Sequence, residues 1–478
     1  MTFGENKDIE INVKKREPQY FGTDGFRGEA NVDLTAMHAY KIGRFLGWYF
    51  ASELYGRKRL GYRPKIVIGK DTRRSSYMLE YAVAAGIVSS GADAYMLHVT
   101  TTPSVSYVVR QDSFDCGIMI TASHNPFYDN GIKVIGSEGE KLDDNTVYLM
   151  ESYIDAELDA LGIKGDIPLA TGEKIGCIYD YVAGRNRYVG YLISLASNSY
   201  KKLRIGIDSA NGASWNIANS VFGALGALTC VIGAEPDGLN VNCDCGSTHI
   251  ERLQRLVCEK HLDVGFAFDG DADRCIAVDE KGNVVDGDSI IYILAKRLMA
   301  KGNLEENTVV ATVMSNSGFV KSLGEAGIKC VQTPVGDRFV YECMQKNGYS
   351  IGGEQSGHVI LKKYATTGDG ILTAIMLCEE ICDSKSPLSK LCAPIRLYPQ
   401  YTKNVKVKNK DLALNDSGVC EAIRKAEKYV EGNGRVLIRK SGTEPVIRIM
   451  IESEEESLCR LYADQIAKAI EKGGHIRD

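Results

Sequence analysis

At 478 residues the chain exceeds what one hydrophobic core organises, and a soft prior of about 150 residues per domain gives three or four domains. Apolar residues make up 44% and charged residues 25%, with no stretch near the roughly 18 apolar residues of a membrane span, so a soluble globular protein without a membrane partner is expected. The net charge of −5, from 62 acidic against 57 basic side chains, leaves no basic surplus for nucleic acid.

In chain order, the opening stretch Met1 to Glu10 is polar and mixed in charge and does not read as a signal peptide. Fourteen cysteines are scattered singly, with no Cys-x-x-Cys pair of the zinc type, so reduced thiols and a cytoplasmic address are expected. After a loose extension of 18 residues, Phe21-Gly-Thr-Asp-Gly-Phe-Arg-Gly28 sets Arg27 among glycines. Lys65 to Ser76 reads as an apolar strand, a small-polar loop and a helix cap, followed by an amphipathic helix over Met78 to Ser89. The same rhythm recurs at Leu203 to Ala213 and at Thr308 to Gly318, the latter preceded by a helix over Ser289 to Ala300. Each start is followed by a second strand that runs into a polar loop, at Thr121 to Pro126, Asp269 to Arg274 and Gly353 to His358. This alternation predicts an α/β fold used three times, with mixed, mostly parallel sheets and the loops gathered at strand ends. The C-terminal stretch differs: strands over Tyr401 to Lys408, Arg435 to Lys440 and Val446 to Glu452, and helices over Ser417 to Val430 and Glu454 to Glu471, predict a smaller α+β unit. Polar segments near 172–176, 280–283 and 394–399 place the domains at 1–175, 176–282, 283–397 and 398–478.

Four loops carry candidate chemistry. Thr121-Ala-Ser-His-Asn-Pro126 holds Ser123 directly after the apolar Gly117 to Ile120, with His124 beside it. A serine hydroxyl at a strand end is a place to park a phosphoryl group if a metal and phosphate anchors accompany it. Asp269-Gly-Asp-Ala-Asp-Arg274 supplies three carboxylates at alternate positions, which in an extended loop face one way and can converge on a hard cation. An EF-hand is excluded, because Arg274 stands where its turn needs glycine and a strand precedes the loop; magnesium is favoured over calcium. Gly352-Gly-Glu-Gln-Ser-Gly-His358 offers Glu354 and Ser356 between glycines, suited to vicinal sugar hydroxyls, although a glycine-rich loop with a capping serine has the same residues. Arg439-Lys-Ser-Gly-Thr-Glu-Pro445 offers a guanidinium, the Ser441 and Thr443 hydroxyls and open backbone at Gly442, suited to a phosphate; a hairpin turn accounts for it equally well. Arg27 and Lys133 are further candidates, for phosphate contact and proton transfer, against the plain alternative of solvated surface cations.

These loops, in this order, resemble those of the α-D-phosphohexomutase superfamily over essentially the whole chain from Phe21. Phe21 to Gly28, Pro126-Phe-Tyr-Asp-Asn-Gly-Ile-Lys133, Asp237-Gly-Leu-Asn-Val-Asn242 with Cys245-Gly-Ser-Thr-His249, and Gln355 within Gly353 to His358 bring it nearest the branch that acts on glucosamine phosphates. Ala272 stands where that branch commonly has glycine and Lys440 where proline is frequent, while Val331 to Asp337 reads more like the wider superfamily. The resemblance implies four domains around a central cleft, with phosphorylated Ser123 and Asp269, Asp271 and Asp273 holding Mg2+. It implies phosphoryl transfer through a 1,6-bisphosphate that turns end for end, taking glucosamine 6-phosphate to the 1-phosphate; mannose or glucose phosphates are the alternative substrates. Glu354 and Ser356 then hold ring hydroxyls, and Arg439, Ser441, Gly442 and Thr443 hold the distal phosphate. Lys133 moves the proton, and Arg27, His124, Arg274 and His358 stabilise charge on the phosphoryl in flight.

Overall fold

The computed structural model describes residues 19–22, 25–52, 62–163, 165–441 and 445–477, which form four sheets. In the first, Cys116–Ile120, Lys65–Lys70, Asp93–Val99 and Ile178–Asp180 run parallel. Asp129–Gly136 then joins Cys116–Ile120 antiparallel, with Gly25–Glu29 and Phe21–Gly22 beyond it. The second sheet has Leu228–Ile232, Arg204–Asp208 and Val264–Phe268 in parallel, then Cys275–Asp279 and Val284–Val285 antiparallel. In the third, Lys329–Thr333, Thr308–Thr312 and Ile351–Gly353 are parallel and Val359–Leu361 closes antiparallel. One plan therefore repeats three times: parallel strands extended by a hairpin, and each hairpin's tip is one of the three candidate loops. The strands that enter these tips are wholly buried, which is why they read as unbroken apolar runs rather than alternating ones.

Helices begin earlier than their apolar periodicity shows, because their first turns carry polar residues. One helix runs Arg74–Ser89 and another Gly287–Ala300, the latter with Asp286 accepting from the Ser289 N–H at 3.0 Å. The last unit is an antiparallel sheet ordered Gln400–Lys406, Val446–Ser453, Gly434–Lys440, covered by Ser417–Val430 and Glu456–Lys472. One apolar core runs continuously through the second and third units, joining Phe266 and Phe268 to Ile290 and Ile375, whereas the first and last units keep cores of their own.

The segments near 172–176 and 280–283 each precede a short strand, Ile178–Asp180 and Val284–Val285. Gly176 N–H donates to the Val88 carbonyl at 2.9 Å, holding the chain on the first unit until Ile178–Asp180 pairs with Asp93–Val99. The turn 280–283 joins Cys275–Asp279 to Val284–Val285 on the second sheet, after which Gly287–Ala300 begins. Among the described residues no helix is long and apolar enough to cross a membrane.

Candidate active site

Ser123 sits at the first hairpin's tip with φ +52°, a left-handed conformation that turns the chain sharply off the strand. The loop is clamped by groups that sequence patterns did not single out for this role. Arg73, itself held by Asp71, donates to the carbonyls of Ser123 and Asn125 at 2.9 Å each, and Asn242 donates to the same two carbonyls. Asp71 also accepts from the Thr121 hydroxyl, whose oxygen in turn receives the Ser123 N–H at 2.9 Å. Arg73 lies at a helix N-cap and Asn242 in the irregular run that begins at Asp237; the signal for each in the sequence was a charged or amide side chain without an assigned partner.

The metal-loop tip lies directly against this serine. Ser123 Oγ donates to Asp269 Oδ2 at 2.5 Å, and a methyl group at Gly270 would stand 2.5 Å from the Ser123 carbonyl oxygen, so only glycine lets the two loops meet. Ala272 adopts φ +56°, a left-handed conformation that glycine takes without strain. Oxygens of Asp269, Asp271 and Asp273 lie within 4.8 Å of one another, all three residues buried. Lys133 Nζ reaches Asp271 at 2.6 Å and Asp273 at 3.0 Å, and the Thr102 hydroxyl also donates to Asp271. Thr102 opens the helix Thr102–Gln111 and is a third group the sequence did not mark.

Charge in this cluster is unbalanced. Burial first, then Asp273 and Asp271, push the Asp269 carboxyl well above its ordinary value. Burial opposes ionisation of Asp273 too, yet Lys133 and His358 hold it well below the carboxylate range. Asp271 Oδ1 and Asp273 Oδ1 are buried with no hydrogen-bond partner among the described residues. Orphaned carboxylate oxygens beside a carboxyl that cannot ionise cheaply fit a hard divalent cation, which would satisfy both.

The remaining candidates divide between the two sides of this centre. Arg274 donates to His124 Nδ1 at 3.1 Å, and His124 Nδ1 is 3.4 Å from Ser123 Oγ. His358 Nδ1 faces Asp273 at 3.7 Å while the Gly368 N–H donates to Nε2 at 3.0 Å. Burial lowers this imidazole's pKa, but Asp273, Asp337 and Glu354 outweigh it and raise the value. The backbone N–H at Nε2 nevertheless fixes the tautomer with its proton on Nδ1, toward Asp273. Glu354 accepts from Gly336 N–H at 3.2 Å and Ser356 is exposed at the loop tip. Gln355 donates to Asp286 at 3.2 Å, so its amide anchors the loop on the neighbouring helix cap. Arg27 pairs across strands with Gly131, two residues before Lys133.

On the last unit, Arg439 and Ser441 lie at the end of Gly434–Lys440; Gly442 and Thr443 lie outside the described residues. Arg448 stands directly across from Arg439 in the register and is exposed, so two guanidiniums share one sheet face beside the candidate phosphate loop. That pairing needs the strand register and could not be read from the sequence.

Models of the four phosphoglucomutase/phosphomannomutase domains match the chain in order: the alpha/beta/alpha domains I, II and III at residues 18–160, 186–282 and 286–398, and the C-terminal domain at 403–469. The chain is 56% identical over 457 residues to the phosphoglucosamine mutase of Lachnospira eligens, covering 96% of this chain and 99% of that one. It is 45% identical over 452 residues to the phosphoglucosamine mutase of Bacillus subtilis, at 95% and 98% coverage. Among solved structures it is similar to a phosphoglucomutase/phosphomannomutase family protein of Burkholderia thailandensis, with a TM-score of 0.75, 22% identity and coverage of 95% and 97%. It is also similar to the N-acetylphosphoglucosamine mutase of Aspergillus fumigatus in complex with GlcNAc-6P and magnesium, with a TM-score of 0.62, 17% identity and coverage of 95% and 96%.

Proposed function

This chain belongs to the phosphoglucomutase/phosphomannomutase family, and on that premise we propose that it interconverts glucosamine 6-phosphate and glucosamine 1-phosphate through a phosphoserine at Ser123. The observation that carries this reading is the Ser123 hydroxyl 2.5 Å from Asp269, inside a buried group of three carboxylates with orphaned oxygens. The choice of amino sugar is supported by relatives named phosphoglucosamine mutase at 45% to 56% identity over nearly the whole chain.

A sugar hydroxyl attacks the phosphorus carried on Ser123; the new O–P bond forms as the serine O–P bond breaks, giving a 1,6-bisphosphate. The hydroxyl loses a proton and the serine oxygen gains one, and Lys133 is the group we assign to move it. After the intermediate turns, Ser123 takes back the other phosphoryl by the reverse step. Arg274, through His124, and His358 stabilise charge around the phosphoryl in flight, with Arg27 on the adjoining strand. Glu354 and Ser356 hold ring hydroxyls, and Arg439, Ser441, Gly442 and Thr443, with Arg448 added, hold the distal phosphate in either orientation. Asp269, Asp271, Asp273 and an oxygen of phosphorylated Ser123 would hold Mg2+, which when bound neutralises charge on the transferring group. Fourteen free cysteines support a cytoplasmic location.

Turnover of glucosamine, glucose and mannose 6-phosphates, each with its bisphosphate as activator, tests the reading. The glucosamine phosphate should lead in kcat/KM, and Ser123→Ala should lose at least about a thousandfold in kcat. A preference for mannose or glucose phosphate would sink the substrate, and a fully active Ser123→Ala the mechanism.

A further inference from the structure

Behind Asp273 the first and third units are separated by a cavity of about 470 Å3, with Lys133, Lys141, Asp337 and Arg338 among its walls. Contacts that cross it meet at one turn of the first unit. Lys141 Nζ lies 2.5 Å from Asp337 Oδ1, and the Gly139 carbonyl accepts from the Thr366 hydroxyl at 2.8 Å. The turn itself is fixed from its own side: Ser106 Oγ donates to the same Gly139 carbonyl at 2.7 Å, Gly136 N–H donates to the Glu140 carbonyl, and Lys141 bridges to Ile135.

Both of its partners lead to the loop over Gly353 to His358. Asp337 Oδ2 is 3.7 Å from His358 Nε2, and the preceding Gly336 donates its N–H to Glu354. Gly336 has φ +129°, a conformation open to glycine, so the turn that delivers that N–H is a specific one. Thr366 lies two residues before Gly368, whose N–H fixes His358. The turn bearing Lys141 thus reaches Glu354 through Asp337 and Gly336, and His358 through Thr366 and Gly368, from the unit that carries Ser123.

We propose that Lys141 is a positioning residue for the sugar loop, acting through Asp337 and the adjoining Gly336 to hold Glu354 in register with Ser123. This rests on the reading of that loop as the sugar site. A second ion pair across the same units, Arg338 with Asp144, is 34% and 65% exposed and touches neither loop residue, so it serves as the control. The pair Lys141 and Asp337 is 33% and 14% exposed and better shielded from solvent.

Steady-state kinetics on glucosamine 6-phosphate, with Ser123 phosphate content by intact mass, test it in Lys141→Met, Lys141→Arg, Asp337→Asn, Asp144→Asn and Glu354→Gln. Lys141→Met and Asp337→Asn should each raise KM by about tenfold and their effects should not add. Ser123 phosphate content should stay that of the parent, Lys141→Arg should recover most of the loss, and Asp144→Asn should match the parent. If Glu354→Gln raises KM while Lys141→Met and Asp337→Asn leave it within about twofold, the proposal is overturned and the sugar-loop reading stands. If Glu354→Gln leaves KM unchanged, that reading falls. Loss of Ser123 phosphate in Lys141→Met would also overturn the proposal, because the damage would then lie at the metal ligands.

Discussion

Asp288 is a carboxyl with little room for its charge. It is fully buried in the first turn of Gly287–Ala300, one oxygen accepts from Asn316 N–H at 2.7 Å, and the other has no hydrogen-bond partner among the described residues. Burial, and after it Asp286, push its pKa up to about 7. The unfolded chain ionises this group near pH 4, roughly, so the folded state binds its proton more tightly. Its stabilising contribution is full below about pH 4 and is lost as the pH rises toward 7, a fall of a few kcal/mol at most. Asp288→Asn should therefore flatten the decline in Tm between pH 5 and 8 and melt at or above the parent at pH 8. An unchanged slope in the variant would refute this account. Residue identity was legible where a motif named it: Ser123, the three aspartates, Lys133 and His358 do converge. Arg73, Thr102 and Asn242 were not legible, because each acts through a partner far away in sequence that only folding supplies.

At the scale of elements, the candidate loops are hairpin tips, and their mutual fit depends on small residues at the crossing points. Gly270→Ala would drive a methyl to 2.5 Å from the Ser123 carbonyl oxygen, which is backbone and clamped by Arg73 and Asn242. A loss of about 1–3 kcal/mol in stability and at least about tenfold in kcat is expected, measured by denaturant melts and turnover. Parent-like kcat would show that the two loops need not touch. Sequence periodicity found the C-terminal strands and the helices Ser417–Val430 and Glu456–Lys472 to within a residue or two, and missed the short helix Lys410–Asn415. It could not show that the strand after each loop turns back antiparallel, since a buried run has the same composition in either direction.

At the scale of the whole molecule, the last unit meets the third at 313–317. Arg435 donates to the carbonyls of Val313 and Met314 and pairs with buried Glu452 at 3.3 Å, while Glu452 accepts from Ser317 N–H at 2.7 Å. Arg435→Ala should cost on the order of 3 kcal/mol at this junction, seen in calorimetry as an earlier transition of the last unit. A single unshifted transition would show that other contacts set the junction. The α/β class and the row of alternate carboxylates were legible along the chain, because strand hydrophobicity and carboxylate spacing are local properties, and the phosphoryl chemistry followed from the resemblance of the four loops in their order. Folding alone brings Ile178–Asp180 onto the first sheet, Arg448 beside Arg439, and Lys141 onto the third unit. Each of those depends on strand register or on contact between distant segments, and neither is encoded at the spacing of neighbouring residues.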